Sequence, residues 1–206
     1  MTVSEILQDI IWGLPKDIFQ RYGEQGILRA INRIYKNLNR ELLCLEKELE
    51  ITETSTGYSL PPDWIKAFAC DDDDLVYVNP EVFDPDENGF YTIRANKMYF
   101  GSPATDNSVK FYYYSSGLTL VSGTPLAGQV STPEWQEASL HSILIYGARA
   151  ELSKKHDGYV DDVLEFRRLK IQLGTLNYER DSISPSRIVP HQTSPKNRYI
   201  DDYEKP

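Results

Sequence analysis

Cysteine, histidine and methionine are scarce in this chain of 206 residues, which has two cysteines, three histidines and two methionines. Cys44 and Cys70 do not form a C-x-x-C pair, so we expect free, partly buried thiols in a reducing compartment rather than a disulfide framework. His141, His156 and His191 are far apart and none has the spacing of a metal-binding pair. The sequence therefore predicts neither a metal site nor a cofactor.

Long apolar runs are also missing, since no stretch approaches the roughly 20 residues of a membrane helix. The opening sequence MTVSEILQDIIWGL lacks the basic start and long apolar core of a signal peptide. We therefore expect a soluble protein made in the cytoplasm.

Motifs of the common catalytic and nucleotide-binding sites are absent: the chain has no G-x-S-x-G, no Walker-type glycine loop and no G-x-G-x-x-G. A carboxylate pair for glycoside hydrolysis stays open, because an acidic chain offers many candidates and spacing in sequence does not report distance. The prediction is that the protein is not an enzyme.

Basic residues are the minority charge, with 22 lysines and arginines against 31 acidic residues and a formal net charge of −9. A free-standing nucleic-acid-binding domain uses a basic surface to displace counterions, so this balance argues against that class. An acidic surface keeps a protein soluble, and it also suits a protein that lies near DNA without adhering to it.

One acidic segment, Asp84–Gly89, matches the first six positions of a calcium-binding EF-hand loop. Such a loop needs a bidentate glutamate at its twelfth position, which here is Ala95, and its flanks have strand patterns rather than helical ones. An ordinary Asp/Asn/Gly turn is the better interpretation.

Helical periodicity occurs near both ends of the chain. A first helix is predicted over Val3–Trp12 with Ser4 as its cap, and a longer amphipathic helix from Glu24. Thr132 as cap, Pro133 and Glu134 predict another helix start, continuing to about Lys154. A further helix begins after His156-Asp157-Gly158, and the short link makes the last two antiparallel neighbours, with small residues such as Gly147 allowing close approach.

The middle of the chain has strand patterns. Strands are predicted at 48–53, 65–70, 75–78, 90–94, 97–100 and 109–114, with a hairpin turn at Ala95-Asn96, a turn at Thr54–Gly57 and an exposed turn at Asp71–Asp74. In the tyrosine-rich strand, Phe111 to Tyr114 alternate between two faces, so at most two rings stack on one side. Core packing or a subunit interface accounts for them better than a sugar-stacking or RNA-stacking platform.

These elements predict an α+β fold with one core: an α-helical bundle with a β-rich insertion between the early helix and the C-terminal helix pair, plus an extended C-terminal tail. The predicted domains are residues 1–47 and 131–181 for the bundle, 48–130 for the insertion and 182–206 for the arm. The proline-punctuated arm cannot bury enough surface to fold alone, so it is either disordered or a docking arm that orders on a partner. The candidate partner-binding residues are Ile183, Arg187, Ile188, Val189, Arg198, Tyr199 and Ile200.

The order of the elements over roughly residues 20 to 180 resembles the head-to-tail adaptor proteins of tailed bacteriophages, the family of head-completion and tubular tail A proteins. The segments that carry the resemblance are ILRAINRIYKNLNREL, YSLPPDWIKAF, NPEVFD, FYTIRANKMYF, VKFYYYSSGLTL and TPEWQEASLHSILIYGARAEL. The Asp71–Asp74 run and the long polar tail depart from the family pattern.

The resemblance implies a structural virion protein at the head–tail interface that forms a ring, typically a dodecamer, beneath the portal. Such a ring retains the packaged DNA, which passes through the lumen without specific binding, and offers a docking surface to the tail or nozzle. Its implied partners are the portal, tail proteins and further copies of itself, with no membrane. The alternative from the residues is a carbohydrate- or surface-binding accessory domain that uses the tyrosine-rich strands.

Overall fold

A computed structural model describes residues 1–52, 57–72, 75–101, 108–135, 137–154 and 159–183. This part of the chain is mixed α+β, as the sequence predicts. Its helices are α1 (Val3–Gly13), α2 (Lys16–Leu42), α3 (Ser142–Leu152) and α4 (Tyr159–Ile183), with a 3-10 turn at Ala138–His141. Its strands are β1 (Glu46–Thr52), β2 (Tyr58–Ser59), β3 (Trp64–Cys70), β4 (Val76–Tyr77), β5 (Phe90–Arg94), β6 (Lys97–Phe100), β7 (Ser108–Ser115), β8 (Thr119–Leu120) and β9 (Gln129–Val130).

The strands form three sheets, ordered β1-β7-β3, β2-β6-β5-β4 and β8-β9. The predicted hairpin is confirmed, because β5 and β6 are antiparallel with Arg94 opposite Lys97. Its two turn residues, Ala95 and Asn96, both have positive φ, which is the geometry of a tight two-residue hairpin. Alternation along β7 is confirmed as well, since Phe111 and Tyr113 are buried and Tyr112 and Tyr114 are half-buried.

The chain divides into two compact units. The first, which we call the helical unit, comprises residues 1–47, 62–66 and 114–183. It holds all four helices and an aliphatic core in which Ile6, Ile31 and Leu144 are among the fully enclosed side chains. Helix α3 packs against α1, α2 and α4. Gly147 explains the close approach of α4, because a Cβ atom there would lie 2.8 Å from the Phe166 ring.

The second unit, called here the β unit, includes the described residues among 48–61 and 67–113. Its core is aromatic: the Phe111 ring lies 5.2 Å from Tyr91 and 6.3 Å from Phe100. Met98, Phe100 and Phe111 are fully buried. The segment 84–89 is a turn in which the Asp86 N–H bonds to the Asp84 carboxylate at 2.9 Å. No cluster of His, Cys, Asp or Glu suited to a metal occurs among the described residues.

The predicted helix starts are partly wrong. Thr2, not Ser4, caps α1 in a capping box with Glu5, while the Ser4 hydroxyl donates to the Ser122 carbonyl at 2.6 Å. The helix predicted from Thr132 begins only at Ser142, because the Glu134 carboxylate serves tertiary partners rather than a first turn. The start predicted at Glu24 is confirmed, because Gly23, with φ of 59°, interrupts the helical geometry of α2 just before it, and the part of α2 from Lys16 to Tyr22 is a separate helical segment.

Candidate interaction surfaces

A buried polar cluster lies inside the helical unit, formed by Tyr35, Asn39, Lys47, Asp63, Ser115, Glu134 and Trp135. The Lys47 ammonium lies 2.7 Å from the Asp63 carboxylate and 2.8 Å from that of Glu134. Asp63 also accepts a 2.7 Å hydrogen bond from the Ser115 hydroxyl. These close charged and hydroxyl partners can compensate the free-energy cost of moving the charges of Lys47 and Asp63 out of water.

The remaining members join the helices to the loops. Glu134 accepts hydrogen bonds from the Leu118 N–H at 2.8 Å and the Tyr35 hydroxyl at 3.2 Å. Asn39, fully buried on α2, donates to the Ser116 carbonyl at 3.1 Å and accepts from the Trp135 indole at 2.6 Å. Each group is thus engaged by another member, so the polar cluster is a structural junction between α2, β1, β7 and the loop at 131–135.

The charges of the polar cluster stabilise one another. Burial alone would raise the pKa of Asp63, but hydrogen bonds from Lys47 and Ser115 and the Lys47 charge lower it below the usual value. Burial would lower the pKa of Lys47, and its bonds to Asp63 and Glu134 raise it instead. The pKa of Tyr35 is raised by burial and by the Glu134 charge, so its hydroxyl stays protonated.

His141 is buried at the start of α3, and its Nδ1 lies 3.1 Å from the Met1 carbonyl oxygen. Burial, aided by the positive amino terminus, lowers its pKa, which favours the neutral ring. This placement agrees with a packed residue rather than a ligand. His156 and His191 lie outside the described residues.

An open groove of about 350 Å³ lies between α1 and α3. Trp12 stands at its rim and is 84% exposed. The Arg149 side chain crosses the end of α1, where it donates a hydrogen bond to the Asp9 carbonyl. The other lining residues are Gly13, Ser142, Ile145 and Tyr146.

Helix α4 has a second exposed apolar surface, which we call the α4 stripe: Val160, Leu164 and Ile171. These residues follow one another at intervals of four and seven, so they lie on one side of the helix. Leu169 and Leu173 are buried in the core on its other side. None of the four exposed residues, Trp12 included, was identified from the sequence, although the excess of apolar residues along α4 could have indicated them.

The sequence-predicted partner-binding residues are placed only in part. Ile183 is the last residue of α4, and Arg187, Ile188, Val189, Arg198, Tyr199 and Ile200 lie outside the described residues. Their role stays a prediction. Cys44 and Cys70 form no disulfide, as expected, and burial raises the pKa of Cys70 to about 11. No helix in the described part of the chain has the length and apolar character to span a membrane.

Exposed apolar helix surfaces such as Trp12 and the α4 stripe are typical of proteins that contact other proteins. The model of the SU10 adaptor protein family matches residues 1–189, and the chain belongs to that family. This is a phage head–tail adaptor family, so the protein is a virion-associated structural adaptor that contacts other head or tail proteins. Adaptor families of this kind are generally non-enzymatic. No curated protein matches the sequence significantly.

Proposed function

We propose that this protein forms a ring, dodecameric in the assembled virion, between the portal and the tail. The ring retains the packaged DNA and presents the surface on which the tail docks. The observation that carries the proposal is the family match over residues 1–189. A net charge of −9 on every copy supports it, because an acidic lumen lets double-stranded DNA pass without adhering.

Within the ring, each part of the chain has a separate task in this proposal. The helical unit, which contains the predicted bundle of residues 1–47 and 131–181, builds the ring wall, and the β unit, which lies within the predicted insertion of residues 48–130, faces the tail or neighbouring subunits. Residues 182–206 form an arm that docks on the portal through Ile183, Arg187, Ile188, Val189, Arg198, Tyr199 and Ile200. When one arm has bound the portal, the other arms of the ring are held near their sites at a high effective concentration, so the ring binds more tightly than a single arm does.

The carbohydrate-binding alternative depends on the aromatic residues of β7. Phe111 and Tyr113 are buried in the β unit, and the half-buried Tyr112 packs 6.5 Å from Phe68. These contacts use the rings for packing, which favours the adaptor role over a sugar-stacking platform.

The arm is tested by binding to the portal protein encoded by the same phage. A chain that ends at Ile183 keeps α4 intact, and we expect it to bind the portal at least tenfold more weakly than the full chain. Within the arm, Ile188→Ser with Val189→Ser should weaken binding, whereas the matched control Gln192→Ser with Thr193→Ser should not. Equal affinity of the full and shortened chains would contradict the docking arm.

A further inference from the structure

The charge of this chain is divided unevenly between its two compact units. Residues 48–61 and 67–113, which contain the β unit, have twelve acidic and three basic residues. The helical unit, residues 1–47, 62–66 and 114–183, has sixteen acidic and fifteen basic residues. The segments that contain the β unit therefore carry a formal charge of −9, as large as that of the whole chain, while the helical unit is close to neutral.

One side of helix α2 carries only positive charge. We call it the basic face, and its members are Arg29, Arg33, Lys36 and Arg40. They are separated by four, three and four positions, which places them on one side of the helix over a length of about 16 Å. The three arginines are exposed and the lysine is half-buried, whereas Ile31 and Leu38 on the other side of α2 belong to the core.

Most of the basic face has no acidic partner in its own subunit. Arg33 pairs with Glu151 of α3, and Lys36 donates a 3.4 Å hydrogen bond to the Thr119 hydroxyl. The two arginines at the ends of the face form no ion pair with any residue that the structure describes. Three of the four positive charges are therefore left to a partner or to solvent.

The acidic residues of α2 next to the basic face do not balance it. Glu24 lies five positions before Arg29, beside the kink at Gly23. Glu41 follows the face directly, but Lys170 of α4 holds its carboxylate at 2.5 Å. A surplus of positive charge therefore remains on this side of the helical unit.

The β unit exposes carboxylates that few of its own cations can balance. Its Lys110 pairs with Glu48 at 3.2 Å, and its other basic residues, Arg94 and Lys97, lie beside the β5–β6 turn. The loop between β4 and β5 has four exposed carboxylates that form no ion pair within the described part of the chain: Glu81, Asp84, Asp86 and Glu87. The surface of the β unit is consequently acidic, opposite in charge to the basic face of α2.

From these charges we infer that the acidic β unit of one copy docks on the basic face of α2 in the next copy of this chain. The inference rests on the proposed ring and identifies its subunit contact. Each copy has both surfaces, so the two occur in equal numbers. Because the surfaces differ, their pairing is a head-to-tail contact, which closes into a ring when the rotation per subunit is right.

The repulsion between copies favours this pairing over others. A ring that placed β units beside β units, or basic faces beside basic faces, would bring like charges together at a cost in free energy. Duplex DNA also has the charge to fit the basic face, but it would leave neighbouring β units unmatched and would repel them. A second copy, in contrast, satisfies both surfaces at once.

Such a contact is weak when it forms alone. Ion pairs between exposed side chains contribute little each, and they set the orientation of a contact more than its affinity. Copies that the portal holds side by side meet at a high effective concentration, at which weak contacts form. The basic face should therefore matter for filling the portal rather than for association in free solution.

Charge reversal tests the contact on the portal protein of the same phage. One full-length variant reverses the basic face with Arg29→Glu and Arg40→Glu, and another reverses the β unit with Glu81→Lys and Glu87→Lys. All four side chains are exposed, so both variants should fold, which circular dichroism checks. Native mass spectrometry then measures the protein concentration at which half of the sites on the portal are filled.

Each variant alone should need about tenfold more protein than the wild type, because like charges then face each other at every contact. An equal mixture of the two variants should fill the portal at about the wild-type concentration, since alternating copies restore opposite charges at every contact. The matched control is Lys16→Glu with Arg167→Glu, which changes the net charge equally at two exposed positions outside the basic face. This control should behave like the wild type.

Other outcomes overturn the inference. A variant with the reversed basic face that fills the portal as the wild type does would remove this contact and leave the ring standing. Two impaired variants whose mixture stays impaired would show that the β unit is not the partner. Duplex DNA bound by the wild type but not by the variant with the reversed basic face would then assign this face to DNA. A wild-type chain that never binds the portal in more than one copy would overturn the ring and this contact together.

Discussion

Lys47 and Lys110 each pair with a carboxylate, one inside the helical unit and one on the surface of the β unit. The side chains of Lys47 and Asp63 are 23% and 5% exposed, whereas those of Lys110 and Glu48 are 42% and 50% exposed. Exposed pairs contribute little because water and salt screen them, but a buried charge that loses its partner is costly. A lysine–carboxylate pair therefore matters for the stability of the helical unit, whereas such a pair contributes almost nothing to the stability of the β unit.

The largest expected effect is that of Asp63→Ala. It leaves the Lys47 ammonium with Glu134 alone and removes the acceptor of the Ser115 hydroxyl. We expect a loss of about 3 to 5 kcal/mol in the free energy of unfolding, measured by urea denaturation. Glu48→Ala is the matched control and should cost about 0 to 1 kcal/mol. Similar losses for the two variants would contradict the comparison.

Gly117→Ala probes the packing next to the polar cluster. Gly117 has φ of +82°, and a Cβ atom there would meet the Tyr35 ring and lie 2.8 Å from the Asn39 amide nitrogen. Strain and overpacking together should cost about 2 to 4 kcal/mol. Gly128→Ala, with φ of +77° and nothing within 4 Å of the added Cβ, isolates the backbone cost at about 1 kcal/mol. Equal losses in the free energy of unfolding for the two variants would mean that the Tyr35 ring is not tightly packed against Gly117.

The helical unit should also be acid-sensitive through Asp63. Its pKa is lowered in the folded protein, so its contribution is present above the unfolded value of 3.8 and is lost as the pH falls through the folded value. The Lys47 pKa is raised, so its contribution persists below 10.5 and is lost only at higher pH. The stability difference between wild type and Asp63→Asn should therefore stay constant from about pH 7 to about pH 5 and shrink as the pH falls below 3.8. A difference that stays constant in acid would contradict this linkage.

The smallest expected effect is a gain in the β unit. Ala95 has φ of 49° in the hairpin turn between β5 and β6, a conformation that glycine adopts without strain. Ala95→Gly should therefore stabilise the protein by about 0.5 to 1 kcal/mol, seen as a higher urea midpoint. Thr92→Gly in the neighbouring strand removes a buried side chain and should destabilise instead. A loss in the Ala95 variant would show that the turn does not need positive φ.

Local patterns predicted much of the fold. The β5–β6 hairpin, the strand alternation of β7 and the amphipathic α2 from Glu24 depend on residues close in sequence, and the structure agrees with each. Thr132-Pro133-Glu134 shows where such patterns fail. The Glu134 carboxylate binds Lys47 and Leu118, and this tertiary use prevails over its preference for a helix start.

The candidate interaction surfaces could not be predicted from the sequence for a similar reason. Whether Trp12 or Leu164 is buried depends on which helices pack beside it, and the hydrophobic pattern of α1 and α4 does not distinguish core residues from exposed ones. The polar cluster joins residues that are 16 to 99 positions apart, so no spacing indicates it. Family membership, in contrast, is recognisable from the order of weak motifs along the chain.

The central claim is that copies of this adaptor assemble side by side on a portal. The most direct measurement is the stoichiometry of the complex between the purified full chain and the portal protein of the same phage, by native mass spectrometry and electron microscopy. The account predicts a closed ring with dodecameric symmetry and no defined oligomer without the portal. A complex with one copy per portal, or no complex at all, would contradict it.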